Sequence, residues 1–293
     1  MMALVWAGER EPVYKGAKLS AWIEAYKISG AVSDSNPNQE TEAAVRQIGT
    51  NAVPWLVKWV GYEQPGLAER LVVIAYRLPV GIKVRSIAGR FVERHLVSKS
   101  EHRADAAMYG FRMLGPNAIR AVPELARMMA RDSESGRRAT LALGFLGMES
   151  FPVLYAALTN SGAPNRDSAL RSVETIAQGL SFREKTNLVA VAPVLAGLVG
   201  SQDLRVAADA TYFLGYLGME PKMSVPALAS ALSNQNVMVR MRAAGALAKF
   251  RGEGRSAIPA LAAAMGDSDA EVRGEVTNAL RRIAPEVLGK AEE

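Results

Sequence analysis

Apolar and polar positions repeat along the chain in one pattern: an apolar residue, proline, a variable residue and leucine, then another apolar residue four positions after the leucine. The six copies begin at Val53, Val122, Phe151, Ala192, Val225 and Ile258. Their prolines are separated by 69, 29, 41, 33 and 33 residues, so the first interval contains one unit without the proline. Repetition in steps of about 34 residues predicts stacked helical units rather than a single globular core.

Each proline predicts the start of a second helix, because proline fits the first helical turn, where its missing N–H would have no partner anyway. Apolar residues at the 3.6-residue period predict a first helix before most of the prolines. Glycines just after first helices are expected to end them in the left-handed conformation: Gly115, Gly147, Gly218 and Gly252. Polar residues just before helices are expected to cap them: Ser133, Asn165, Asp203, Asn236 and Asp269. No alternating stretch predicts a β-strand.

These signals predict an all-α solenoid of about seven helix pairs with capping helices. The pairs are expected at about 38–61, 66–97, 101–131, 134–159, 165–199, 203–232 and 236–265, with a half-unit at about 270–288. In the second pair, Pro79 lies in the turn in place of the usual motif. Residues 1–37 are predicted to form a lead-in and capping helix, and residues 38–293 the repeat array.

Two elements of the repeats are distinctive: a Val-Arg-x-x-Ala-Ala-x-Ala-Leu first helix at 239–247 and a Val-Pro-x-Leu second helix at 225–228 and 53–56. In both, the chain resembles the HEAT-repeat superfamily, specifically its short bacterial units, over residues 38–288. The resemblance implies a right-handed α-α superhelix in which the second helices line the concave face.

The N-terminal segment carries a further motif, made of Tyr14, Gly16, Leu19, Ser20 and Trp22. It resembles the Tyr-x-Gly-x-x-Leu-Ser-x-Trp lead-in of some bacterial HEAT-repeat proteins, which often carry an export signal or membrane anchor just before it. The resemblance implies a bacterial protein of the cytoplasm or, if such a segment is missing from this chain, of the cell envelope. Ser20 is expected to cap a helix from about 21 to 28, whose Trp22 and Ile23 cover the end of the first repeat.

The net charge of +6 is concentrated in residues 83–138, which hold twelve basic and six acidic residues. In such stacks, the fourth residue after each motif proline is expected to point toward the concave face: Lys58, Arg127, Ala156, Gly197, Ser230 and Ala263. The predicted groove is basic in its N-terminal half and smooth in its C-terminal half. Its candidate residues are Trp55, Lys58, Lys83, Arg90, Arg94, Arg127, Arg131, Gly197, Ser230 and Ala263. The alternative is that the small residues are buried between neighbouring units.

Candidates for catalytic chemistry are few. The 293 residues contain no cysteine, which excludes disulfides, thiolate metal sites and Cys nucleophiles. His95 and His102 are the only histidines and form no His-Glu pair, so neither a metal nor a cofactor is predicted. Trp55 and Trp59 are i,i+4 partners on one helix, an arrangement typical of packing. The chain has no apolar run of 18 residues, so no membrane span is predicted.

The sequence therefore predicts a non-catalytic scaffold that binds a partner protein along the concave face. The alternative is binding of a nucleic acid or another polyanion through the basic segment 83–138. A remote form of this alternative is an analogy to HEAT-like alkylpurine DNA glycosylases, but no motif links the tryptophans of the chain to a specific aspartate. A solvated basic surface that keeps the repeats soluble is the simpler explanation of the charge.

Overall fold

The structure, a computed structural model, describes residues 10–26, 38–63, 98–181 and 183–289. Its α-helices in chain order are α1 (Leu19–Ala25), α2 (Gln39–Ile48), α3 (Val53–Val60), α4 (Ser98–Leu114), α5 (Val122–Met129), α6 (Glu134–Gly144), α7 (Phe151–Thr159), α8 (Arg166–Gly179), α9 (Ala192–Leu198), α10 (Leu204–Leu217), α11 (Pro221–Ala231), α12 (Val237–Phe250), α13 (Ile258–Ala264), α14 (Ala270–Ile283) and α15 (Pro285–Gly289). Short 3₁₀ helices occupy Gly49–Ala52, Gly115–Ala121, Gly147–Ser150, Glu184–Val191 and Arg251–Ala257. Two strands, β1 (Val13–Tyr14) and β2 (Ala17–Lys18), form an antiparallel hairpin.

The chain forms two compact units, Met1–Ile176 and Ala177–Glu293, called the N-terminal and C-terminal units below. In the N-terminal unit, α4 packs against α1, α2, α3 and α6, and α5 packs against α6. In the C-terminal unit, α10, α12 and α14 pack side by side as the first-helix layer. The helices α9, α11 and α13 form the second-helix layer, and each packs against the first helix that follows it. The core lies between first and second helices.

The leucine of each proline motif is fully buried: Leu56, Leu125, Leu154, Leu195, Leu228 and Leu261. The all-α prediction is confirmed, and helix pairs lie close to the predicted positions in the described part of the chain. The predicted pair at 66–97 and the predicted domain boundary at residue 37 lie outside the described residues. No helix of the described residues combines the length and apolar character needed to cross a membrane.

Five motif prolines occupy the first turn of a second helix, as predicted: Pro54, Pro123, Pro152, Pro193 and Pro259. A 3₁₀ segment leads into each of these helices. For Pro226 the prediction is wrong, because α11 begins at Pro221 and Pro226 lies inside the helix. Only three residues separate α10 from α11, so the residues that form a 3₁₀ segment elsewhere join the helix in this repeat.

The predicted caps are confirmed at four helices, where the side chains of Ser133, Asp203, Asn236 and Asp269 accept backbone N–H hydrogen bonds. Asn165 precedes α8 but uses its side chain differently: its amide donates to the carbonyl oxygens of Met129 and Arg131, both at 2.8 Å. It therefore ties the start of α8 to the chain that follows α5.

Left-handed glycines follow α4, α6 and α10, as predicted for Gly115, Gly147 and Gly218. Gly252 does not adopt this conformation, because the chain turns one residue earlier, at Arg251, with φ of +49°. With ψ of −130°, Arg251 lies in a sparsely populated backbone region, which costs about 1–3 kcal/mol.

The lead-in differs from its prediction in two ways. Lys15 and Gly16, with φ of +48° and +77°, form the tight turn of the β1–β2 hairpin, whereas no strand is predicted. The helix α1 begins at Leu19, so Ser20 lies inside it and does not cap it. The Ser20 N–H instead donates to the Glu11 carboxylate. Ile23 is fully buried, as expected, and α1 packs against α2 and α4.

Candidate functional site

The fourth residue after each motif proline lies on the surface in every copy. Lys58, Arg127, Ala156, Gly197, Ser230 and Ala263 are all exposed. A Cβ atom added at Gly197 would meet no atom within 4 Å. The alternative of burial between neighbouring units is therefore wrong for the four small members of this set, since all four are exposed.

A groove in the N-terminal unit surrounds one of these positions. It has a volume of about 620 Å³ and is lined by Pro152, Val153, Ala156 and Ala157 of α7, by the end of α5, and by the turn that leads to Asn165. This N-groove has a smooth floor because its α7 residues are small or lack a long side chain. A backbone from another molecule can approach such a floor closely.

A second groove lies in the second-helix layer of the C-terminal unit. This C-groove has a volume of about 480 Å³, and Ala229, Ala260, Ala263 and Ala264 line it. Among its other lining residues are Arg240 and Asp267. Gly197 and Ser230, which were predicted beside Ala263, are exposed but do not line this groove.

The Arg240–Asp267 pair fixes that part of the C-groove. The guanidinium donates to both carboxylate oxygens, at 2.7 and 2.9 Å, and to the carbonyl oxygens of Asn234 and Gln235. The hydrogen bond from Arg240 lowers the pKa of Asp267, helped by the backbone N–H of Asp269. Both side chains are charged and are held by hydrogen bonds to each other, so they form a fixed wall of the groove and are not free to bind another molecule.

The basic half of the predicted groove is largely not described. Lys83, Arg90 and Arg94 lie outside the described residues. Four described cations of segment 83–138 form ion pairs: Arg103 with Glu24, Arg127 with Glu124 at 2.6 Å, Arg137 with Glu134 at 2.8 Å, and Arg138 with Asp105 at 2.6 Å. Nucleic-acid binding through this segment stays a prediction, and these carboxylates reduce the positive field that it requires.

Two predicted groove residues at the N-terminal end contact each other. The Lys58 ammonium lies 5.3 Å from the centroid of the half-buried Trp55 ring, within range of a cation–π contact. Trp59 is 92% buried and its ring lies 6.1 Å from that of Trp55, in agreement with a packing role. Arg131 is exposed, and its carbonyl oxygen accepts from Asn165.

The first-helix layer of the C-terminal unit contains a cleft that the sequence does not predict. It has a volume of about 350 Å³ and spans α10, α12 and α14. Tyr212 and Tyr216 form one wall, with ring centroids 6.3 Å apart and planes inclined by 20°. Gly245 leaves the backbone of α12 open to this tyrosine cleft. The available signal was the i,i+4 tyrosine pair, but the facing glycine becomes its neighbour only in the folded stack.

Side chains that could bind a metal ion do not cluster in the described part of the chain. His102 lies on α4, where its Nε2 is 3.2 Å from the Glu24 carbonyl oxygen. His95 lies outside the described residues. No group of three or more His, Asp or Glu side chains suited to a metal ion occurs among the described residues.

Comparisons with known proteins identify the repeat. The sequence profile of HEAT repeats matches residues 191–281. No curated protein matches the sequence. Among solved structures, that of Kap121p is similar over 91% of this chain and 37% of that chain, with 15% identity and a TM-score of 0.49. This chain thus spans little more than a third of the length of Kap121p. An engineered protein is similar over 91% of this chain and 96% of its own, with 19% identity and a TM-score of 0.33.

The profile match covers α9 to α13 and most of α14, the part of the chain with the most regular helix pairs. Proline-led second helices with buried leucines continue in the N-terminal unit at α3, α5 and α7. Residues 191–281 therefore match HEAT repeats, and helix pairs with proline-led second helices continue before them in the N-terminal unit.

Proposed function

We propose that this protein is a non-catalytic scaffold that binds a segment of a partner protein along its second helices. The observation that supports this proposal is the N-groove, where an open cavity of about 620 Å³ surrounds the exposed Ala156. The C-groove repeats the arrangement around Ala263 in the other unit. Each groove includes the fourth residue after a motif proline, Ala156 in one and Ala263 in the other.

Small side chains at these positions favour a peptide over a small-molecule substrate. An extended or helical segment needs a smooth floor along which its backbone can lie, and alternate side-chain pockets then supply specificity. Repeat stacks commonly use extended surfaces of this kind for binding. The hydrogen-bonded Arg240–Asp267 wall gives the C-groove a fixed shape, which reduces the entropy lost when a partner binds.

The test introduces a long side chain into each groove. Ala156→Arg and Ala263→Arg fill the grooves from exposed positions, so both variants are expected to keep the melting temperature of the wild type. Gly274→Arg is the matched control, because Gly274 is exposed on α14 and a Cβ atom there meets nothing within 4 Å. Partners are captured by affinity purification from the native cells and quantified by mass spectrometry.

The expected result is a set of proteins that the wild type and Gly274→Arg retain and at least one groove variant loses. If all three variants capture the same proteins as the wild type, the second helices are not the binding surface. A turnover that copurifies with the protein and disappears with a point mutation would contradict the non-catalytic assignment.

A further inference from the structure

The tyrosine cleft carries charges that the fold itself does not neutralise. Lys249 and Arg282 line it, are exposed, and have no carboxylate within ion-pair distance among the described residues. Arg242 also lines it but is already paired with Asp209 at 3.0 Å. Exposed cations beside a concave surface attract a partner of opposite charge and increase its rate of association.

One carboxylate lies inside the cleft. Glu275 is half-buried on α14, and its Oε2 would lie 3.4 Å from a Cβ atom added at Gly245. No donor within the described residues hydrogen-bonds to this carboxylate. It is therefore an acceptor available for an N–H or O–H group of a bound molecule.

The tyrosine rings supply apolar surface but few open faces. Arg242 lies 5.7 Å from the Tyr212 ring centroid, and Tyr212 stacks on Tyr216. The Lys185 ammonium lies 4.1 Å from the Tyr216 ring centroid and donates to its hydroxyl at 2.8 Å. A nucleic acid needs open ring faces for base stacking, so these contacts disfavour it. A side chain that packs against the ring edges is compatible with them.

We propose that the tyrosine cleft binds an acidic segment of a partner protein that inserts one aromatic side chain beside Gly245. The volume of about 350 Å³ is near the lower end of ligand pockets, which suits one or two side chains rather than a whole helix. Carboxylates of the segment pair with Lys249 and Arg282, and Glu275 accepts a hydrogen bond from the anchor or from its backbone. This surface lies in the first-helix layer of the C-terminal unit and shares no lining residue with the two grooves of the second helices.

The test uses a fluorescein-labelled synthetic peptide with one tryptophan flanked by aspartates and glutamates, titrated with the full chain and followed by anisotropy. Gly245→Leu fills the cleft, and its Cβ atom meets Glu275 only at an ordinary contact distance. Leucine is also a better helix former than glycine, so this variant is expected to fold. Lys249→Glu combined with Arg282→Glu reverses the rim charge at two exposed positions. Lys222→Glu is the matched control, on an exposed lysine of α11.

Gly245→Leu and the double charge reversal are each expected to weaken binding by about tenfold or more, while Lys222→Glu has no effect. Replacing the tryptophan of the peptide by alanine is expected to have the same effect as Gly245→Leu, and raising the salt concentration the same effect as the charge reversal. The proposal is overturned if the peptide does not bind, if it binds the cleft variants as tightly as the wild type, or if a single-stranded oligonucleotide binds in its place with the same dependence on the variants.

Discussion

The two units achieve helix packing with different buried side chains. Among the described residues, nine buried polar or charged residues lie in the N-terminal unit: Asn38, Thr41, Ser135, Arg138, Thr140, Ser150, Asn165, Ser168 and Ser172. The C-terminal unit has two, Thr211 and Ser224. Buried alanines and large apolar side chains pack the first helices of both units, such as Phe111 and Leu143 in one and Phe213 and Leu247 in the other. The same arrangement of helix pairs thus tolerates additional buried polar residues in the N-terminal unit.

Hydrogen bonds offset the cost of burying these polar side chains in the N-terminal unit. The Ser172 hydroxyl lies 2.8 Å from the carbonyl oxygens of Thr140 and Ser168, and the Ser150 hydroxyl donates to Leu143 at 2.6 Å. Arg138, with its side chain only 4% exposed, donates to Asp105 and to the Tyr62 carbonyl oxygen. These donors keep partners, so their desolvation is compensated. The buried Nε of Arg171 is an exception among the described residues, because it has no hydrogen-bond partner.

The largest expected effect concerns one glycine in each unit at which two first helices lie close together. A Cβ atom at Gly215 would lie 2.3 Å from the Ala246 Cβ, and one at Gly144 would lie 2.9 Å from the Cα and Cβ of Ser172. We expect Gly215→Ala to reduce the free energy of unfolding by about 3 kcal/mol and Gly144→Ala by about 2 kcal/mol. Gly274→Ala is the control, and we expect it to stabilise by about 0.5–1 kcal/mol, because it adds only helix propensity. Thermal and urea unfolding followed by circular dichroism measure all three. Equal losses at both glycines would mean that the units pack equally tightly.

The next expected effect concerns two ion pairs, one in each unit. Each joins two neighbouring first helices, and its two residues are 33 positions apart in the sequence. In Arg138–Asp105 the arginine side chain is 4% exposed, whereas in Arg242–Asp209 it is 31% exposed. Asp105→Ala leaves a buried guanidinium without its carboxylate, so we expect a loss of about 2 kcal/mol. Asp209→Ala leaves an arginine that water reaches, so we expect a loss below about 1 kcal/mol. The same unfolding measurements apply, and a larger loss for Asp209→Ala would contradict the difference in burial.

Much of the fold follows from local signals in the sequence. Proline in the first turn, leucine two positions later and a polar cap before the next helix each act within a few residues, so they predict α3, α5, α7, α9 and α13 correctly. The errors arise where a nearby residue determines where the helix starts or where the chain turns. Pro226 lies inside α11 because Pro221 starts the helix earlier, and Gly252 is not left-handed because Arg251 already turns the chain.

The candidate sites were less predictable, because they depend on contacts between repeats. Exposure of Ala156 and Ala263 follows from their fixed distance from the motif prolines. The tyrosine cleft is formed by residues of three helices, Tyr212, Gly245 and Glu275. The spacing of residues within one helix cannot predict that they lie close together. The charge total of segment 83–138 was also an incomplete guide, since Arg103 pairs with Glu24, a carboxylate from outside the segment.

A smaller expected effect concerns the contribution of buried polar residues to stability. Ser172→Ala removes a buried hydroxyl that bonds across from α8 to α6, and we expect a loss of about 1 kcal/mol. Thr211→Val is the comparison in the C-terminal unit, because the Thr211 hydroxyl bonds only within its own helix, to Ala207. We expect that change to stay within about 0.5 kcal/mol of zero. If Ser172→Ala is neutral as well, the polar residues of the N-terminal unit are interchangeable with apolar ones.

The smallest expected effect concerns acid, which acts on a different carboxylate in each unit. Burial acts to raise the pKa of Glu63, but hydrogen bonds from Ser133 and Ser135 outweigh it and hold the pKa below its usual range. In the C-terminal unit, Arg240 and the Asp269 N–H lower the pKa of Asp267. A carboxyl whose pKa is lower in the folded state stabilises the protein above its unfolded pKa of about 4, and this contribution is lost as pH falls through the folded pKa.

Stability is therefore expected to fall below about pH 5, as both carboxylates become protonated first in the unfolded chain. Glu63→Gln and Asp267→Asn each remove one carboxylate with a lowered pKa. We therefore expect each variant to be less stable at neutral pH and to lose less stability than the wild type as the pH falls. Glu149→Gln is the control, because Glu149 has no ion pair among the described residues. Melting temperatures between about pH 3 and pH 7 measure the slopes, in the range where carboxyl groups titrate. If the melting temperature of Asp267→Asn falls with pH as steeply as that of the wild type, the charge of Asp267 does not contribute to stability. The C-groove wall would then be held by packing alone.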